Sequence, residues 1–85
     1  MPELSRFMGM SIMMFWMDHE SPHIHVTSAE YKCKIDLNGN LLKGSLPTHK
    51  LHIVKRWIAE HNDELNKAWL LVRDCKHPER IQPWI

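Results

Sequence analysis

From Gly9 to Met17 the chain reads Gly-Met-Ser-Ile-Met-Met-Phe-Trp-Met, nearly all apolar, and then breaks at Asp18-His19-Glu20-Ser21-Pro22. A short apolar run closed by charge and a proline predicts a strand followed by a turn. His23-Ile24-His25-Val26-Thr27 then alternates polar with apolar, as does Tyr31-Lys32-Cys33-Lys34-Ile35-Asp36-Leu37, so both segments are expected to be strands with one face buried. Asn38-Gly39-Asn40 tolerates positive φ and predicts a tight turn into a short strand near Leu41–Lys43. Beyond Pro47 the period changes. Leu51, Val54, Trp57 and Ile58 mark one stripe of a helix over about 48–60, with Thr48 as its expected N-cap. Asn62-Asp63-Glu64 opens a second helix whose stripe is Leu65, Ala68, Trp69 and Val72, running to about Asp74. His77-Pro78 and Gln82-Pro83 then forbid further helix.

These elements predict a single α+β domain over residues 1–85, an antiparallel three- or four-stranded sheet followed by two helices packed on one face. Side-chain parity refines this. Ile24, Val26, Cys33 and Ile35 should face the helices, leaving His23, His25, Lys32 and Lys34 together on the opposite face. The first strand is apolar at both parities, Ile12, Met14 and Trp16 against Met13, Phe15 and Met17, so a cover is expected from the tail or from another chain. A homo-oligomer or a partner encoded by a neighbouring gene is the expected form of that second cover.

Composition narrows the classes. The 44% apolar and 25% charged residues suit a folded globular chain. Eleven Lys and Arg against ten Asp and Glu leave a net charge of +1, so nucleic-acid binding, if present, must come from a local patch. The longest apolar run is too short to cross a bilayer and no secretory leader is visible, which makes a cytoplasmic protein with no membrane contact the expectation. Cys33 and Cys75 lack zinc-knuckle spacing and are expected to be reduced and mostly buried.

The seven histidines supply the candidate chemistry. On a strand, His23 and His25 stand about 6.5–7 Å apart along one face, a spacing from which two imidazoles converge on one ion. With His19 from the turn they form a candidate site for a divalent transition metal such as zinc. Alternatively His23 and His25 act as acid and base, with Lys34 or Lys32 neutralising a phosphorane, which is the chemistry of a nuclease needing no metal. The plain reading of the same residues is a solvated strand face on a small regulatory or interaction module. Trp57 and Trp69 are expected in the core, Trp84 against a neighbour or across the sheet, and His61 on a carbonyl at the end of the first helix.

Over nearly its whole length the chain resembles the small bacterial family catalogued as domain of unknown function 4160. The resemblance lies in Met1-Pro2-Glu3-Leu4-Ser5-Arg6-Phe7, in Asp18-His19-Glu20-Ser21-Pro22-His23-Ile24-His25-Val26, and in Trp57-Ile58-Ala59-Glu60-His61-Asn62-Asp63-Glu64-Leu65 with Trp69 beyond. The family pattern has two prolines before the second histidine where this chain has Ser21-Pro22, which implies a looser turn. Genes of the family stand in neighbourhoods that look like toxin–antitoxin modules. The resemblance therefore implies a small regulatory or nucleic-acid-processing role.

Overall fold

A computed structural model describes residues 2–16 and 20–84. Five strands, β1 (Glu3–Phe7), β2 (Met10–Met13), β3 (His23–Ser28), β4 (Tyr31–Asp36) and β5 (Leu41–Gly44), precede helices α1 (Thr48–Glu60) and α2 (Asn62–Arg73). The strands form one antiparallel meander in the order β1-β2-β3-β4-β5. The α+β class and the order of sheet then helices agree with the sequence pattern, but there are five strands rather than three or four.

The additional strand is β1, which hydrophobic periodicity did not separate from the chain's opening. Its residues Leu4, Ser5 and Phe7 are buried while Arg6 is exposed, so the strand does not alternate cleanly. A register shift between Glu3 and Ser5 accounts for the broken alternation. Met8 and Gly9 both adopt positive φ, at 51° and 74°, the geometry of a two-residue hairpin turn that matches strand twist. The apolar run that follows is strand only as far as Met13.

The core lies between the sheet and the helices. Ile12, Ile24, Val26, Ile35, Val54, Trp57, Leu65 and Val72 are fully inaccessible, and Trp69 nearly so, which places Trp57 and Trp69 in the core as expected. Leu51 packs on the same cluster. Thr48 is the first residue of α1, and the preceding cap position is Pro47, with no side-chain cap. Asn62 likewise begins α2, following the capping position held by His61. The Asn62 side chain instead donates to the Leu37 carbonyl at 2.8 Å, fixing the start of α2 to the end of the sheet.

The β4–β5 connection is organised by Asp36, whose Oδ1 accepts the backbone N–H groups of Asn38 and Asn40, both at 2.9 Å. Burial pushes the Asp36 carboxyl up, but the hydrogen bonds from Asn40, Asn38 and Gly39 outweigh it and hold it below the usual value. Past α2 the tail returns to the sheet. Ile81 N–H donates to the Leu4 carbonyl at 2.7 Å and the Trp57 indole N–H donates to the Gln82 carbonyl at 2.8 Å. Trp84 is half-buried against the core, with the Arg56 guanidinium 5.5 Å from its ring. Cys33 is buried and Cys75 exposed, so only one thiol fits the expectation of burial, and burial raises the Cys33 pKa.

Candidate metal and phosphate site

The strand register assembles a row across the outer face. His25 stands opposite Met13 on one side and Lys34 on the other, and Lys34 stands opposite Lys43. Directly opposed residues in an antiparallel pair share a face, so His25, Lys34 and Lys43 line up across three strands. Lys32 lies on the same parity two residues before Lys34. A concavity of about 310 Å³ is lined by His25, Lys32, Cys33, Lys34, Lys43 and Gly44. Gly44 permits its floor, since a Cβ there would lie 2.1 Å from the Lys32 carbonyl oxygen.

His23 shares the side of β3 that parity gives it with His25, but it is not solvated there: it is buried to 1% exposure and its ring lies 5.1 Å from that of Trp69 in α2. His23 is the first residue of β3, where strand pairing starts and α2 closes over the end of the sheet. His25 remains half-buried and is the one of the two rings that lines the concavity.

The two rings nevertheless meet. His23 Nε2 lies 3.2 Å from His25 Nε2, and His23 Nδ1 lies 2.7 Å from the Ser21 carbonyl oxygen. A carbonyl can only accept, so His23 Nδ1 carries a proton and donates it to Ser21. In neutral His23 the Nε2 lone pair is therefore the one aimed at His25. Phe15 holds His25 from the other side, its ring stacked on the imidazole with centroids 3.7 Å apart and planes 7° from parallel.

The apolar side chains at the end of this segment go to different places. Ile12 and Met14 enter the core, Phe15 lies on His25, and Trp16 meets His77 of the tail edge-on at 5.8 Å. Trp16 stays exposed beside that contact. Met17, Asp18 and His19 lie outside the described residues, and with them the sequence candidate for a third metal ligand. Among the described residues no group of three or more His, Cys, Asp or Glu side chains is placed to hold an ion.

The lysines differ in their partners. Lys34 Nζ donates to Glu20 Oε1 at 2.8 Å and also pairs with Oε2, so its charge is countered locally. Among the described residues neither Lys32 nor Lys43 has a carboxylate within ion-pair distance. The His61 ring packs against that of Trp57 in α1, with centroids 5.4 Å apart, but its hydrogen bond goes elsewhere. The ring bonds forward to Glu64 Oε1 at 2.8 Å, while its backbone N–H takes the Trp57 carbonyl. Sequence reasoning missed Phe15 and Lys43 as parts of this face. Lys43 could have been found by extending the parity argument through the Asn38–Asn40 turn, whereas nothing local marks Phe15 as the ring that stacks on His25.

The family model described as domain of unknown function (DUF4160) matches residues 9–70, taking in both histidines, all three lysines and the helices to Leu70. No curated protein and no solved structure matches the chain. Among the described residues, no helix is long and apolar enough to cross a membrane.

Proposed function

The chain belongs to the family of domain of unknown function (DUF4160), and we propose that this member binds one divalent transition metal of the zinc class through His23 Nε2 and His25 Nε2. The observation that carries the reading is the 3.2 Å between these two nitrogens. Two imidazole nitrogens about 2.0–2.1 Å from one tetrahedral ion stand about 3.3–3.4 Å apart, so the two hydrogen-bonded rings stand close to the spacing of two ligands, and an ion would bind as the His25 Nε2 proton is released or moves to Nδ1. The bond from His23 Nδ1 to the Ser21 carbonyl supports the same reading. A ligating histidine characteristically donates its second ring N–H to a carbonyl, which fixes the tautomer and the ring plane. Phe15 restrains the other ring by stacking.

His19 is proposed as a third ligand from its sequence position between Asp18 and Glu20. Three protein ligands leave a fourth position for water, whose pKa such an ion lowers toward about 7, the chemistry of a hydrolytic site. Within this reading His23 is a buried ligand and positioning residue, and His25 is the ligand at the edge of the concavity. Lys34, held by Glu20, is the nearest fixed cation along the row.

The reading is tested by isothermal titration of Zn²⁺ into chelator-treated protein. Saturable binding of one equivalent is expected, and it should be lost in His25→Phe, which retains an aromatic ring for Phe15 to stack on. His19→Ala should weaken it. Unchanged binding in a folded His25→Phe protein, or no saturable binding in the parent, overturns the proposal.

A further inference from the structure

The cationic row beside the histidines has a property that metal binding alone does not use. Lys32, Lys34 and Lys43 line one concavity with His25, and Glu20 pairs with Lys34. Asp36, which stands opposite His23, is committed to the turn it organises. Much of the acidic charge lies elsewhere, with Glu60, Asp63, Glu64, Asp74 and Glu79 in the helices and tail. The helices and tail carry Lys and Arg as well, so the positive character of this face is local and rests on Lys32, Lys34 and Lys43 standing side by side on β4 and β5.

We infer that this face binds the phosphodiester backbone of a single nucleic-acid strand, leading it to the His25 end of the row. The inference builds on the metal reading, because it names the substrate class of the same site. From β3 to β5 the row spans two strand spacings, about 10 Å. At about 3.4 Å per stacked nucleotide that width covers about three nucleotide steps of one strand, enough for three phosphate contacts. Lys32 and Lys43 have no competing carboxylate among the described residues, so an incoming phosphate does not have to break an ion pair to reach them. Lys34 differs: a phosphate must share it with Glu20, which ranks it below the other two for strand binding. Three of the six residues that line the concavity are lysines, so recognition is expected to follow the phosphate backbone rather than base identity.

The test is fluorescence anisotropy of a labelled, unstructured RNA of about 12 nucleotides with the whole protein, titrated between about 50 and 200 mM salt. Three phosphate contacts on a single strand predict a logarithmic salt slope near −2, or roughly a twentyfold loss of affinity across that range. Lys32→Gln with Lys43→Gln should reduce the slope to about −0.7 and weaken binding at the lower salt by about tenfold. Absence of binding at the lower salt, or binding unaltered by the double substitution in a folded protein, overturns the inference. Adenosine monophosphate competing with the RNA at equal phosphate concentration would mean that the face takes a free nucleotide, and would also overturn it. Zn²⁺ titration of the same samples separates the two readings. Lysine-dependent RNA binding without Zn²⁺ binding removes the metal and leaves the strand-binding face, whereas Zn²⁺ binding without RNA binding does the reverse.

Discussion

Glu3 is the electrostatic hinge between the first hairpin and the tail, and replacing it by glutamine should destabilise the protein in a pH-dependent way. Its Oε2 accepts from the Ser11 hydroxyl at 2.5 Å and from Arg6 Nη2 at 2.9 Å, while Oε1 accepts from Arg80 Nη1 at 3.1 Å. The Ser11 and Arg6 hydrogen bonds outweigh the desolvation cost, Arg80 adds a lesser lowering, and together they hold the carboxyl at about 2, against an ordinary 4.5. That interval has a ceiling of about 3.4 kcal/mol. The Glu3 side chain is 24% exposed and the two arginines 67% and 62% exposed, so screening reduces the expected contribution to about 1–1.5 kcal/mol. The folded-state pKa is depressed. The contribution is therefore complete above about 4.5 and is lost as pH falls through about 2. Urea unfolding of parent and Glu3→Gln, followed by tryptophan fluorescence from neutral pH to about pH 2, should show a difference of about 1–1.5 kcal/mol that closes toward the acid end. High salt should shrink it as well. No difference at neutral pH, or one that persists undiminished at about pH 2, refutes the assignment of Glu3 as an ionised hub.

Two further substitutions test how the frame of the site is held. Trp57→Phe preserves an aromatic ring in the core but removes the indole N–H that holds the Gln82 carbonyl, so a loss of about 1 kcal/mol in urea and faster proteolysis of the tail are expected; unchanged tail cleavage would show that this bond does not fasten it. Gly44→Ala places a Cβ 2.1 Å from the Lys32 carbonyl oxygen at a φ of +82°, and should lower stability by about 2–3 kcal/mol with amide exchange accelerating first in β5. An alanine variant as stable as the parent would show that β5 can shift away from β4 at little cost.

Local patterning made much of the architecture legible. Alternation in His23–Thr27 and Tyr31–Leu37 identified β3 and β4, the Asn38-Gly39-Asn40 turn marked the next hairpin, and the stripe from Leu51 to Ile58 located α1. These signals are visible because each follows from the geometry of its own element. β1 was missed because a register shift breaks its alternation, and the strand preceding the histidine turn was drawn too long because Met14, Phe15 and Trp16 are apolar for reasons unrelated to strand pairing. Their partners are the core, His25 and His77, all distant in sequence.

The same division applies to the candidate site. Sequence by itself determined that His23 and His25 share a strand with lysines on the next, because a two-residue side-chain period and a hairpin require it. Only the tertiary structure decided that the two histidines differ. α2 closes over the start of β3 and buries His23 against Trp69, while His25 one pleat further on remains at the rim of the lysine-lined concavity. Parity assigns a side chain to a face of the sheet, but burial at the end of a strand depends on what else in the chain packs there.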